Sequence, residues 1–287
     1  MFMKNNKDLT IIIVTFNSSE IIEQCLCNLD AEIHDIIVVD NASKDNSCQI
    51  IREKFPQVKL IQNDKNIGYG RANNIALLQS KTDFALILNP DALILENDIQ
   101  ISLEVLKNNP KIALASPKIF HTLNDEEKII IQKEDNYQTT NFIVGGVLFI
   151  RLEVFRKIGF FDESFFMFTE DSELSDRSLA HGYQNVIINN AKAFHSGGGS
   201  SKKSLRNTYR RFWHLGWSKS KYKQIKKGKL QTARATARLS LLYFCEGIFY
   251  VLVCNINKSV AKFAFSLGCF AFLIGLKSFK KNGLPRG

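Results

Sequence analysis

The first hundred residues alternate short runs that are apolar at nearly every position with segments of helical spacing. Leu9–Val14 (LTIIIV), Ile36–Asp40 (IIVVD), Val58–Gln62 and Phe84–Leu88 read as strands. Glu20–Leu29, Asp45–Phe55 and Gly70–Ser80 read as helices, the first capped by Ser18 or Ser19 and the second by Asp45 or Ser47. Strands without a polar face, separated by helices, predict an α/β fold. Its central sheet is mostly parallel, buried on both faces and flanked by helices. In such sheets ligands bind outside the carboxyl ends of the strands.

Polar residues collect at those ends. Thr15-Phe16-Asn17 follows the first strand, Asp40-Asn41-Ala42-Ser43 the second, Asn66–Arg71 the third and Asn89-Pro90-Asp91 the fourth. Four successive loops thus face one crevice, for which a nucleotide is the default occupant. Beyond residue 100 the pattern loosens. Phe142–Ile150 (FIVGGVLFI) reads as a further strand containing Gly145-Gly146, where glycine permits close approach of backbone or ligand. Phe160–Ser178 is dense in aromatic and acidic residues, and His195 precedes a run of three glycines.

After residue 239 two long apolar stretches appear, Leu239–Ile256 and Val260–Leu276, each with one charge, Glu246 and Lys262. They predict a helical hairpin in or on a bilayer interface. Spanning, or burial against the main domain, are the other readings. The division is thus 1–200 for a nucleotide-binding α/β domain and 201–287 for a basic, amphipathic and apolar helical region.

Charge sharpens this division. The net charge of +10 splits into −8 for residues 1–199 and +18 for 200–287, where Glu246 is the sole acid. RNTYRRFWHLGWSKSKYKQIKKGK interleaves cations with aromatics, which also suits single-stranded nucleic acid. The apolar stretches that follow favour an anionic membrane surface as partner, and no nucleic acid. The six cysteines show no metal-ligand spacing, so a reduced, cytoplasmic chain is expected. No apolar segment follows the N-terminal lysines, so no signal peptide is expected.

Each chemical motif has a plain structural reading beside it. Asn89-Pro90-Asp91 interrupts ALILNPDALIL and delivers one carboxylate, suited to Mg²⁺ or Mn²⁺ with substrate phosphates, but Asn-Pro-Asp is also a simple turn. Gly68-x-Gly70-Arg71 suits a phosphate or a structural turn. Glu170-Asp171 offers a general base, whereas Glu173 and Asp176 suit helix-dipole or exposed positions. His195 is a metal ligand or a satisfied loop histidine.

Taken in order, LTIIIVTFNS, IIVVDNASKDNS, NIGYGRANN, LILNPDA, GG, FFMFTEDSEL and H-x-GG resemble the family 2 glycosyltransferases, especially their rhamnosyltransferase-like branch. The likeness covers residues 9–200. It implies a GT-A fold and inverting, metal-dependent transfer of a sugar from a nucleotide-diphosphate donor, dTDP-rhamnose or a UDP-sugar. A lipid-linked or cell-envelope glycan accepts it at the inner face of the cytoplasmic membrane. It also implies roles. Thr15, Asn17 and Asp40 match nucleoside-holding positions, and Gly68 and Arg71 the segment near base and phosphates. Gly145 and Gly146 match a segment near donor and acceptor. Asp91 matches the last acid of the family's D-x-D, with Asn89 in place of the first, and His195 an added metal ligand. Asp171 matches the base of an E-D pair whose first member is Glu170. The alternatives are a sugar-phosphate nucleotidyltransferase, against which the loop TFNSSE lacks Gly and Arg, and a non-catalytic membrane- or nucleic-acid-binding protein.

Overall fold

The computed structural model describes residues 7–121, 136–197, 204–280 and 283–286. The N-terminal lysine-containing segment before Lys7, and Gly198 and Gly199 of the glycine run, lie outside them. The described residues form two compact units. One lies within Met1–Lys65, Ala72–Phe161 and Asp171–Ser200, the other within Asn66–Arg71, Asp162–Glu170 and Ser201–Gly287. Residues from Ser201 onward all fall in the second unit. Two short inner segments, carrying Gly68, Arg71 and Glu170, cluster instead with the C-terminal unit.

The first unit is built on β1 (Leu9–Thr15), β2 (Asp35–Asp40), β3 (Lys59–Gln62), β4 (Phe84–Leu88), β5 (Ala92–Ile94), β6 (Ile112–Phe120), β7 (Tyr137–Thr139), β8 (Val147–Arg151) and β9 (Gln184–His195). They form one sheet in the order β3-β2-β1-β4-β8-β6-β9-β5, with β7 also paired to β9. The strands β1 to β4 are mutually parallel; β1, β2 and β4 are buried on both faces, whereas β3 at the sheet edge is partly exposed. Beyond β4 the sheet becomes mixed: β8 runs antiparallel to both β4 and β6, while β6 and β9 are parallel. The order of strand addition reverses at β1, which pairs in parallel with β2 on one side and β4 on the other, so a switch-point crevice lies at their carboxyl ends.

Helices α1 (Ile22–Cys27), α2 (Ser47–Lys54), α3 (Tyr69–Gln79), α4 (Glu96–Asn108), α5 (Leu152–Ile158) and α6 (Glu170–Ala180) connect the strands. The core beside the sheet contains Ile11, Ile13, Val38, Leu86, Phe149 and Val186, all essentially inaccessible.

Two expectations shift. Helix α1 is shorter than Glu20–Leu29 and takes no side-chain cap from Ser18 or Ser19, because the Ser18 carbonyl already accepts from the Ile21 and Ile22 amides. The run Phe142–Ile150 is not one strand. Phe142 and Val144 are exposed, and β8 starts at Val147, so Gly145-Gly146 form the approach to the strand rather than its interior.

The second unit contains α7 (Leu205–Lys227), α8 (Lys229–Leu252) and α9 (Ile256–Leu273). Ser204 caps α7 through the Asn207 amide, and Asn255 caps α9 through that of Lys258. Helices α7 and α9 cross at glycine contacts. A Cβ on Gly216 would lie 2.2 Å from the Phe265 carbonyl oxygen, and one on Gly268 2.0 Å from that of Trp213. Trp213 and Trp217 of α7 pack there with Ala264 and Ala271 of α9 and with Phe165. The two apolar stretches form the expected hairpin, α8 and α9, held by Ser240–Ser266 hydrogen bonds and the Glu246–Lys262 pair (2.5 Å).

Only 11% of the most apolar 18-residue window of α8 is buried, and 44% of that of α9. Leu241, Phe249, Leu252, Ile256 and Phe270 are all more than half exposed. Both helices are long and apolar enough to cross a membrane by length and composition.

Candidate active site

At the ends of β1 and β2, backbone and side chains interlock. Thr15 and Asp40 are register partners, and the Asn41 amide donates to the Thr15 carbonyl (2.8 Å). Asn17 and Ala42 both hold positive φ, 54° and 66°. Asn tolerates this conformation, whereas for alanine it is strained, and such strain concentrates at ligand sites. The Asn17 amide donates to Ser43 Oγ (2.8 Å), its side-chain oxygen accepts from the Lys44 amide (2.7 Å), and the buried Asp40 carboxylate accepts from the Ser43 amide (3.1 Å). Among the described residues the Thr15 hydroxyl is buried with no hydrogen-bond partner. Asp45 accepts from both the amide and hydroxyl of Ser47, which together with the Ser19 amide keeps its carboxyl below the usual range despite partial burial.

At the end of β4 the structure brings Asn89, Asp91, Gly146 and His195 together. The three-residue strand β5 folds back antiparallel to β9 and sets Ala92 opposite His195. His195 Nε2 consequently lies 3.3 Å from Asp91 Oδ1 and 3.2 Å from Asn89 Nδ2. The Asn89 contact needs Nε2 as acceptor and the Asp91 contact needs it as donor, so a neutral imidazole satisfies only one of them. Ser196 Oγ donates to the other Asp91 oxygen (3.1 Å). Both side chains are withdrawn from solvent, Asp91 to 4% and His195 to 11% exposure. A Cβ on Gly146 would fall 2.5 Å from the imidazole Cε1, so glycine is what admits the ring. The Gly146 carbonyl accepts from the Asn89 amide (2.9 Å). Cys25 lies beneath; burial, then the Asp91 charge, push its thiol up to about 12, which makes it inert.

The catalytic candidate joins the same chain of contacts. Asp171, in the first turn of α6, accepts from the Gly145 amide (3.2 Å) and the Ser172 amide (2.7 Å). Withdrawal of its carboxyl from water raises its pKa above the usual carboxylate value, against the lowering effect of those hydrogen bonds. Glu173 is neither exposed nor a simple dipole partner. It pairs with Arg177 (2.7 Å), whose guanidinium also donates to the carbonyls of Ile158, Gly159 and Phe160 and fixes α6. The i,i+4 spacing of Glu173 and Arg177 is a signal that could have marked the pair, whereas the backbone partners of Arg177 leave none.

Gly68, Arg71 and Glu170 belong to the second unit. Gly68 has φ 92°, and a Cβ there would meet the Phe166 carbonyl oxygen at 2.4 Å, to which the Tyr69 amide donates (2.9 Å). Arg71 Nε donates to the Glu163 carbonyl (2.8 Å), and its guanidinium stacks 3.8 Å above the Phe279 ring. Glu170 is buried. Phe168 and Thr169, just before it, both hold positive φ.

Asp91 and His195 are the two side chains here able to hold a divalent cation. A carboxylate oxygen and an imidazole nitrogen suit Mn²⁺ well and Mg²⁺ adequately. Among the described residues no cluster of three or more His, Cys, Asp or Glu is found, so a cation held here would take its remaining ligands from water and phosphate oxygens.

Comparison with known proteins shows the family. The family model for glycosyl transferase family 2 matches residues 10–168, and that for glycosyl transferase family group 2 matches residues 99–277. The chain is 22% identical over 235 residues to the N-acetylglucosaminyl-diphospho-decaprenol L-rhamnosyltransferase of Mycobacterium tuberculosis, covering 65% of this chain and 75% of that one. It is 24% identical over 266 residues to the rhamnosyltransferase WbbL of Escherichia coli K12, covering 81% and 98%. The mannosyltransferase PcManGT of Pyrobaculum calidifontis, solved with GDP-Man and Mn²⁺, superposes with a TM-score of 0.60 at 17% identity, over 93% of this chain and 87% of that one. That likeness shows the GT-A fold. With half of its length and more matched by the family models, the chain belongs to glycosyl transferase family 2, among its rhamnosyltransferase-like members, and is a glycosyltransferase.

Proposed function

We propose that the protein transfers a sugar, with inversion, from a nucleotide-diphosphate donor to a lipid-linked or cell-envelope glycan acceptor. The observation that carries this is the continuous contact path Asp171–Gly145–Gly146–His195–Asp91, which couples a base of raised pKa to a buried carboxylate–imidazole pair. Asp171 takes the proton from the acceptor hydroxyl as that oxygen attacks the anomeric carbon from the face opposite the leaving diphosphate. The adjacent Glu170 is the second candidate for this role. Thr15, Asn17 and Asp40 hold the nucleoside, and the loop strain at Asn17 and Ala42 preorganises them. The family resemblance assigns Gly68, Arg71 and Asn89 to donor binding. Asp91 and His195 hold Mg²⁺ or Mn²⁺, which when bound offsets charge on the leaving diphosphate. The relatives' names favour dTDP-rhamnose among donors and a diphospho-polyprenyl acceptor, with UDP-sugars next.

The test is incubation with a panel of nucleotide sugars and Mn²⁺. Release of nucleoside diphosphate from one donor is expected. Release of pyrophosphate from a nucleoside triphosphate plus sugar phosphate would instead identify a nucleotidyltransferase.

Residues 201–287 form the membrane-docking region in this reading, and residues 1–200 the catalytic domain. The exposed apolar side chains of α8 and α9 follow directly on a segment rich in Lys and Arg. Each cation near an anionic leaflet adds about 1 kcal/mol of attraction. Docking on the cytoplasmic face of the membrane is part of this proposal. Full-length protein is expected to float with phosphatidylglycerol vesicles, and Leu242→Glu/Phe249→Glu protein to float less. Native protein that stays in the soluble fraction contradicts the docking.

A further inference from the structure

Helix α8 carries one stripe with a spacing of four residues: Leu230, Arg234, Arg238 and Leu242. Residues four apart are neighbours on a helix face, so the two guanidinium groups stand side by side between leucines. Leu230 is 72% exposed and Leu242 53%, and both arginines are exposed. With Gln231 and Leu239 these four side chains line a groove of about 560 Å³. Among the described residues neither arginine makes an ion pair or a hydrogen bond. Glu246, the sole acid after residue 200, is already held by Lys262.

Like charges at this spacing disfavour a helix, and leucines in water lose the gain of burial. A ligand that is anionic at one end and apolar at the other relieves both. Phosphate oxygens match the planar donor fork of arginine, and a hydrocarbon chain covers leucine. A small inorganic anion would answer the arginines and leave Leu230, Leu239 and Leu242 wet. The same helix continues into the exposed apolar side chains of Phe249 and Leu252, so the groove lies on the face proposed above to meet the membrane. We infer that this groove is a headgroup site for an anionic phospholipid of the bilayer. Arg234 and Arg238 donate to the non-bridging oxygens of its phosphodiester, and an acyl chain runs along Leu239 and Leu242. The inference rests on the proposed docking of residues 201–287 for the choice of a lipid over another apolar anion. It adds a saturable site to that docking, where diffuse attraction would depend on the number of charges alone.

The test uses full-length protein and dihexanoyl-phosphatidylglycerol, titrated calorimetrically below its micelle concentration, so that it reads the site without a membrane. Saturable binding is expected in native protein. Arg234→Gln/Arg238→Gln is expected to weaken it by about tenfold or more, the scale of lost hydrogen bonds to a charged group. Both arginines are exposed, so an unchanged melting temperature is expected with it. Arg234→Lys/Arg238→Lys, which keeps the charge and loses the forks, falls between. Lys223→Gln/Lys227→Gln removes the same charge from α7 at the same spacing and is expected to bind the lipid as native protein does. Inorganic phosphate is expected to bind native protein about tenfold more weakly than the lipid, or worse, because it covers no leucine. The inference is overturned by absence of lipid binding in native protein, or by equal affinity in native and Arg234→Gln/Arg238→Gln protein. Equal losses in the two glutamine pairs would leave only diffuse attraction, and inorganic phosphate binding as tightly as the lipid would leave only an anion site; either overturns it. A native dimer that becomes monomeric in Arg234→Gln/Arg238→Gln protein would put a second copy over the groove, and overturns it as well. Native protein that binds the monomeric lipid and yet fails to float with vesicles would overturn the docking while leaving the site standing.

Discussion

Asp91→Asn protein is expected to lose Mn²⁺ affinity by about 100-fold or more and to lose transfer with it. The expectation follows from how few charges the site has. Asn89 stands where a second acid would stand, so Asp91 is the only carboxylate that the β4–β5 turn contributes. It is 4% exposed, and its neighbours are an imidazole and a hydroxyl. Asparagine keeps the shape and removes the charge that draws a cation into a desolvated position. Outer-shell substitutions at metal sites typically cost 10–100-fold in affinity, and removal of a ligand exceeds that. Mn²⁺ binding measured by electron paramagnetic resonance checks the expectation without any substrate. Equal Mn²⁺ affinity in native and Asp91→Asn protein would remove Asp91 from the site.

Asp171→Asn protein is expected to bind donor as the native chain does and to transfer about 10²–10⁴ times more slowly, the usual contribution of a positioned base. Asparagine occupies the same volume and can still accept from one of the two amides, Gly145 or Ser172, so the surrounding turn is retained. The pH dependence has a definite sign. Burial raises the Asp171 pKa, so the carboxylate needed for proton removal forms only at a pH above the ordinary carboxylate range. The acid limb of the native rate profile is therefore expected above that range and to be absent from the residual activity of the variant. The stability linkage has the opposite direction to that of a salt-bridged acid. The folded state holds this proton more tightly than the unfolded chain, so Asp171 contributes to stability as pH falls through its folded pKa and loses that contribution as pH rises.

Much of this was legible in the chain because two-sided burial leaves a clear mark. LTIIIV, IIVVD and FALIL admit few polar positions, and the structure makes each a parallel strand. FIVGGVLFI misled because apolar composition does not distinguish a strand from the glycine turn that leads into it; only the exposure of Phe142 and Val144 separates them. Asp91 and His195 are 104 residues apart, and nothing local announces their contact. It arises from β5, three residues long, pairing with β9. The backbone part of the Arg177 clamp was hidden for a similar reason, since carbonyls leave no residue-type signal. Composition alone likewise left the hairpin open to several readings, because long apolar helices suit a core as well as a bilayer. In the structure α8 leaves Leu241, Phe249 and Leu252 exposed.

The most direct test of the account is a paired measurement on native and Asp171→Asn protein: the dissociation constant for the donor, and the single-turnover rate of sugar transfer at saturating donor and Mn²⁺. The account predicts equal dissociation constants and a rate at least 100-fold lower in the variant. Transfer by Asp171→Asn protein at the native rate would contradict it.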